Sequence, residues 1–181
     1  MKKRGKGMAL ENMIEEANKL YKVQGGARVH PTYPHVTIHS RGAGGRITGR
    51  LSGKGAVDYW GVLKGGRAVC FDAKELKSGC LPISRIKEHQ RDDIATCHNM
   101  GGISGVILLY ERSRIYWIPA ETIIQADMRA TRGGRKSIPA DEIQQCPEIL
   151  PTLNTCRCDW MPVVMRLEDE KRVEESQLKL F

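Results

Sequence analysis

Apolar residues recur three or four positions apart in several stretches of the chain, which is the spacing of an amphipathic helix. Near the start this pattern ends at Gly25 and Gly26, and a second stretch opens at Pro82, where proline suits a first helical turn. The pattern predicts helices over residues 8–23, 82–100 and 162–181, and a further helix that begins after Pro119.

Short apolar runs between these stretches predict β-strands. Residues 56–63 and 67–75 read as a strand pair joined by a Lys-Gly-Gly loop, and residues 103–110 and 114–118 as two more strands. The run over 103–110 is apolar enough to be buried on both faces. Helices and strands alternate, so we expect an α/β fold with a mixed sheet flanked by helices, in one domain spanning residues 1–181.

Composition narrows the possible functions of the chain. Its 181 residues include 29 Lys and Arg against 21 Asp and Glu, a net charge of +8, which makes polyanions plausible partners. No apolar run is long enough to cross a membrane, and no export signal is visible, so we expect a cytoplasmic protein with free thiols. A zinc site built from Cys146, Cys156 and Cys158 is a weaker alternative, because their spacing fits poorly.

The basic residues are concentrated in one part of the chain. Residues 17–57 carry seven Lys and Arg and no acidic residue, and residues 41–55 combine six glycines with four basic side chains. Such a segment suits a flexible arm or hairpin that contacts nucleic acid, although a solvated basic loop is the alternative. We predict a protruding stalk over about residues 37–55 that binds DNA through Arg41, Arg46, Arg50 and Lys54.

Two acidic residues and a lysine fall on the first strand pair. Asp58 lies on one strand, and Asp72 and Lys74 share a face of the other. Converging carboxylates suit Mg²⁺, and an ammonium group suits charge on a phosphoryl group, although a surface ion pair is the simpler reading. Asp58 lies beside Asp72 only if the connecting loop has three residues or a bulge occurs at Gly61, because a two-residue loop would turn Asp72 away.

Two further polar residues fall at positions that face the same region. Glu11 lies at the edge of the first helix's apolar face, where it could add a carboxylate or only favour the helix dipole. Gln90 lies on the inner face of the second helix, where its amide needs a partner, either a metal-bound water or an ordinary buried hydrogen bond. No glycine-rich nucleotide-binding loop is recognisable, so ATP and NAD are not indicated.

Several ordered blocks of the sequence resemble the RecU-type Holliday-junction resolvases, which have a PD-(D/E)xK nuclease core. The blocks are VDYWG, FDAKEL, PISRIKEHQ and GGISGVILLY, with further similarity over LENMIEEANKLY and GRKSIPADEI. The resemblance implies a restriction-endonuclease-like sheet and a homodimer. It also implies paired symmetric nicks in four-way junction DNA during recombination and repair, with Mg²⁺ as cofactor and Mn²⁺ as a substitute.

The resemblance also implies roles for individual residues. Asp58, Asp72 and Gln90 would bind or support the metal, Lys74 would stabilise the transition state, and Glu11 would be an accessory acid. The stalk would enter the centre of the junction, where phosphates of four strands crowd together.

The sequence departs from the family pattern at two positions. Ala56 stands where the family often has a hydroxyl residue that helps to hold the metal, and Asp72 stands where Glu is more usual. Two alternatives therefore remain. One is another PD-(D/E)xK nuclease that acts on duplex DNA, and the other is a junction-binding protein without turnover.

Overall fold

The computed structural model describes residues 8–51, 55–152 and 156–178. The helices are α1 (Met8–Gln24), α2 (Glu88–Asn99), α3 (Ala120–Thr131), α4 (Ala140–Gln145) and α5 (Trp160–Leu178). The strands are β1 (Ala27–Pro31), β2 (Val36–Arg41), β3 (Ile47–Leu51), β4 (Tyr59–Leu63), β5 (Ala68–Leu76), β6 (Leu81–Pro82), β7 (Ile103–Tyr110), β8 (Arg114–Pro119) and β9 (Ser137–Ile138). No helix within these ranges is long and apolar enough to cross a membrane.

The central element is a five-stranded mixed sheet in the order β1-β4-β5-β7-β8. Strands β5 and β7 are parallel, and every other neighbouring pair is antiparallel. All eight residues of β7 are buried, as the continuous apolar run predicts. The expected α/β architecture, a mixed sheet flanked by helices, is therefore confirmed.

Each face of the sheet has its own apolar core. Helices α1 and α5 cover one face, where Phe71 packs on Trp160 with ring centroids 5.1 Å apart. Helices α2 and α3 cover the other face, which includes Cys70. Because side chains alternate along a strand, Asp72 shares the α2 side with Cys70, while Phe71 points into the aromatic core.

The pairing of β4 with β5 has the register that the acidic pair requires. Tyr59 pairs with Phe71 and Trp60 with Cys70, which brings Asp58 opposite Asp72. The loop is the three-residue one, closed by a hydrogen bond from the Leu63 N–H to the Arg67 carbonyl. Its two glycines have φ values of 96° and 89°, which residues with a Cβ rarely adopt. The glycines therefore permit the register that the site needs.

The prediction that a helix opens at Pro82 is wrong. Pro82 ends β6, a 3₁₀ turn follows over Ile83–Arg85, and α2 begins only at Glu88. The cause is tertiary: the Ile83 N–H donates to the carbonyl of Lys136 at 3.1 Å, which pairs this segment with β9. Gln90 consequently lies in the first turn of α2, where its side chain can reach the helix start.

The basic segment forms a projecting hairpin of β2 and β3, joined by a 3₁₀ turn over Ala43–Gly45. Every residue of both strands is exposed, which agrees with the predicted stalk. A bulge at His39 shifts the register, and the pairing then aligns four exposed apolar side chains on one face: Val36, Ile38, Ile47 and Leu51. Lys54 lies outside the described residues.

The alternative of a zinc site is not supported by the placement of the cysteines. Cys146 packs against the core on the α2 side of the sheet, whereas Cys156 and Cys158 belong to the core on the α1 side. The sheet therefore separates Cys146 from Cys156 and Cys158.

Candidate active site

The candidate site is built on the carboxyl groups of Asp58 and Asp72, which face each other where β4 meets β5. Asp72 is fully buried on β5, and Asp58 lies just before β4. The backbone N–H of Ala73 donates to Asp58 Oδ2 at 3.0 Å, which fixes the first carboxyl group against the second strand. The sheet register thus holds both acids in place.

Both oxygens of Asp72 have hydrogen-bond donors. Lys74 donates from Nζ to Oδ2, and Gln90 donates from Nε2 to Oδ1 at 2.8 Å. The Gln90 amide is itself held, because its Oε1 accepts from the backbone N–H of Lys87 at 3.0 Å. Gln90 therefore caps α2 and orients Asp72 at the same time, and its role as a metal ligand stays a prediction.

Burial and a neighbouring acid change the proton affinity of Asp72. Burial, followed by the adjacent Asp58, raises the pKa of Asp72 to about 7, although the Lys74 ammonium opposes the shift. A group that carries positive charge between the two carboxyl groups would relieve this unfavourable arrangement. Such groups include a proton and a divalent cation.

Glu11 lies at the exposed edge of α1 and faces the same region. Partial burial raises the pKa of Glu11, and the charges of Asp58, Glu15 and Glu75 add to the effect, while Lys74 lowers it. The structure places Glu11 on the wall of a cleft that also contains Asp58 and Lys74. Its chemical role stays a prediction.

Two clefts meet at Asp58. One, of about 670 Å³, contains Glu11 and Lys74, and the other, of about 660 Å³, contains Gln90, Ala56 and Leu51 at the base of the stalk. Within the described ranges, no three His, Cys, Asp or Glu side chains form a cluster that could hold a metal ion. Asp58 and Asp72 are the two carboxyl groups in direct opposition, and Glu11 and Glu75 lie on the wall of the first cleft.

Asp93 is a site residue that the sequence reasoning missed. Its Oδ2 accepts a hydrogen bond from the backbone N–H of Val57 at 3.3 Å, next to Asp58. Asp93 lies one helical turn after Gln90, so α2 contacts both segments that carry the acidic pair. Gln90 contacts Asp72, and Asp93 fixes the segment before Asp58. The i, i+3 spacing of Gln90 and Asp93 is a signal that could have found it.

The predicted DNA-binding residues Arg41, Arg46 and Arg50 are exposed on the stalk hairpin. Leu51, at the end of the hairpin, lines the second cleft, so the stalk begins at the edge of the site. Contact of these arginines with DNA stays a prediction.

Comparison with known proteins gives the relationship directly. The family model described as "Recombination protein U" matches residues 5–166. The chain belongs to this family. Holliday junction resolvase RecU of Bacillus pumilus is 32% identical over 168 residues, covering 90% of this chain and 81% of that protein. The protein of the same name from Levilactobacillus brevis is 34% identical over 147 residues, covering 77% and 73%.

The match to the RecU family confirms the resemblance carried by the sequence blocks around Asp58, Asp72 and Gln90. Among solved structures, that of Archaeoglobus fulgidus Hjc, a Holliday junction resolvase, matches with a TM-score of 0.45 at 14% identity over 79% of this chain and 96% of that chain.

The stability of the metal-free protein should depend on the pH through Asp72. Unfolded Asp72 releases its proton near pH 3.9, whereas folded Asp72 keeps it up to about pH 7. The folded state therefore binds more protons in this window, and the free energy of unfolding falls as the pH rises from about 4 to 7. Urea unfolding in EDTA should show this fall in the wild type and in Asp92→Asn, but a smaller one in Asp72→Asn. Parallel profiles for all three proteins would contradict the assignment.

Asp93→Ala should destabilise the segment before Asp58. The substitution leaves the buried N–H of Val57 without its acceptor, which costs about 1–3 kcal/mol of the free energy of unfolding. Asp93→Asn keeps an acceptor oxygen and should restore most of this loss. Asp92→Ala, one residue earlier and exposed, is the matched control. Denaturant unfolding measures all three, and equal stabilities for the two alanine variants would refute the role of Asp93.

Proposed function

We propose that this protein is a metal-dependent endonuclease that resolves Holliday junctions. The observation that carries the proposal is the pairing of Asp58 with Asp72 beside Lys74 in a chain of the RecU family. The relatives named above are Holliday junction resolvases by name, and this chain covers most of their length. Another duplex nuclease or a junction-binding protein without turnover would share parts of this site, and both are outcomes of the test below.

The donor set at Asp58 and Asp72 fits Mg²⁺. Both groups offer carboxylate oxygens, and a divalent cation would offset the repulsion and burial that raise the pKa of Asp72. Mg²⁺ is usually held by one or two carboxylates together with water and substrate phosphate, so a third acid is not required. When bound, the cation would supply an activated water and offset negative charge on the phosphate. Mn²⁺ would substitute, because it accepts the same ligands.

The protein's own groups would divide the remaining work. Lys74 would stabilise negative charge on the phosphoryl group, since its ammonium lies beside Asp72 and faces the cleft. Gln90 would keep Asp72 in one orientation through its amide. Glu11, whose pKa is raised and which is open to solvent, would exchange a proton at the edge of the site as the accessory acid.

Ala56 would leave one ligand position of the metal to water. It lines the second cleft beside Asp58 and Gln90 and offers only a methyl group there. The carboxylate pair would then carry more of the metal binding in this chain than in relatives that have a hydroxyl group at this position.

The stalk would hold the centre of the four-way junction. It projects as an exposed hairpin with Arg41, Arg46 and Arg50 and begins at the edge of the site. Phosphates of four strands meet at the junction centre, where unopposed positive charge binds best. Symmetric nicks in two opposing strands require two sites related by a two-fold axis, so we propose that the active form is a homodimer.

A junction-nicking assay tests the proposed function. We expect wild type with Mg²⁺ to nick a labelled four-way junction symmetrically and to leave the linear duplex of the same sequence uncut. Asp72→Asn should bind the junction normally but lose about 10²–10³-fold in nicking rate, because a charged group at the reacting centre is removed. Asp92→Asn makes the same substitution at an exposed position of α2. It is the control and should nick like wild type.

The other outcomes of this assay assign the alternatives. Equal cutting of junction and duplex would replace the proposal with a general nuclease of the same fold. Tight binding without cutting under Mg²⁺ or Mn²⁺ would leave a junction-binding protein.

A further inference from the structure

Three basic side chains line the cleft beside the acidic pair: Lys77, Arg85 and Arg112. All three are exposed, and none forms an ion pair or a side-chain hydrogen bond with another residue in the described part of the chain. Several arginines elsewhere are paired, with Arg91 on Asp127, Arg114 on Glu148 and Arg129 on Glu142 at 3.0, 2.8 and 2.7 Å. The cleft therefore offers guanidinium groups that the protein itself does not use.

Arg112 lies in a tight turn with a left-handed backbone conformation. Glu111 and Arg112 form the turn between β7 and β8 with φ values of 51° and 60°, although both carry a Cβ. The Glu111 N–H donates to the carbonyl of Leu76 at 2.8 Å, which attaches the turn to the end of β5. Positive φ values at both central residues are the usual geometry of a tight hairpin turn, which the Ser113 N–H closes by donating to the Tyr110 carbonyl at 3.1 Å. The turn therefore holds Arg112 at the wall of the cleft.

The position of the turn relative to Lys74 sets the reach of the subsite. Lys74 and Leu76 lie on the same strand, and two residues of extended chain span about 7 Å, which corresponds to roughly one or two nucleotides of one DNA strand. A phosphate bound near Arg112 would thus lie a short distance from the cut, and the second arm of the test below asks whether it belongs to the strand that is cut.

The cleft carries side chains of both charges. Its acidic side chains are Glu11, Asp58 and Glu75, and burial together with the charges of Asp58 and Glu75 raises the pKa of Glu11. A cation would be held at Asp58, whereas the three unpaired basic side chains suit an anion.

We propose that Arg85 and Arg112, supported by Lys77, form a binding site for a backbone phosphate of the cleaved strand, next to the scissile phosphate. The inference rests on the proposed function. A guanidinium group can hold a phosphate with two parallel hydrogen bonds, which fixes position as well as charge. The stalk binds the junction centre, whereas this subsite holds the cleaved strand in register with Asp58 and Asp72.

The positive φ of Arg112 allows a sharp test. Glycine adopts this conformation freely, so Arg112→Gly removes the guanidinium group without disturbing the turn. The unfolding temperature of this variant should therefore be no lower than that of wild type. Arg85→Ala is the second variant. Arg166→Ala is the matched control, because Arg166 is exposed on α5. Helix α5 lies far from the cleft: its Glu168 forms an ion pair with Arg67, at the opposite end of β5.

The measurement is junction binding without divalent metal between 50 and 200 mM salt. Each phosphate contact contributes about 0.9 to the slope of log affinity against log salt. The double variant Arg112→Gly/Arg85→Ala should lower this slope by about one, so that affinity falls roughly threefold less across the range than in wild type, and each single variant should lower the slope by part of this amount. Arg166→Ala should keep the wild-type slope. A slope unchanged in both test variants would overturn the subsite.

A second arm locates the phosphate on the DNA. Junctions carry one neutral methylphosphonate at each position that flanks the nicked bond. At one position within about two nucleotides of the cut, the substitution should slow nicking by wild type but not nicking by Arg112→Gly. An equal effect on both proteins at every position would overturn the assignment.

Failure of the subsite and failure of the proposed function give different results. If wild type binds the junction but does not nick it, the proposed function fails, while the salt slopes still test the subsite. If wild type binds no DNA, both are overturned.

Discussion

The buried carboxyl group of Asp72 is the feature on which the rest of the site depends. A buried acid next to a second acid is unfavourable, and it persists here because Lys74 and Gln90 donate to its two oxygens. The same arrangement gives the site an affinity for positive charge. The metal chemistry that we propose therefore follows from the unfavourable burial of Asp72 beside a second acid. A cation at Asp58 and Asp72 would offset this unfavourable electrostatic energy.

Helix α2 is the element that makes this arrangement rigid. Its first turn presents Gln90 to Asp72, and its second presents Asp93 to the backbone before Asp58. The capping bond that holds the Gln90 amide, from the Lys87 N–H, depends on α2 beginning at Glu88 rather than at Pro82. The short pairing of β6 with β9 sets that start, so a segment more than 40 residues beyond the site helps to define its geometry.

Local patterns were sufficient to predict much of the fold and of the site. The apolar run over β7 predicts a doubly buried strand. For the hairpin, the sequence set only a condition, that Asp58 lies beside Asp72 if the loop has three residues, and the structure meets that condition. The start of α2 was not predictable, because a hydrogen bond to distant Lys136 overrides the helical signal of Pro82. Strand β1 was missed because it is only five residues long, with two buried apolar positions. Its pairing with β4 stabilises β1, and that pairing cannot be recognised from five residues of sequence.

The most direct test of the central claim is to locate the cation. Crystals of the wild-type protein grown with Mn²⁺ should give an anomalous peak within about 2 Å of carboxylate oxygens of both Asp58 and Asp72, with water completing the shell. Crystals of Asp72→Asn under the same conditions should lack the peak. Mn²⁺ bound elsewhere, or equal occupancy in both proteins, would contradict the account.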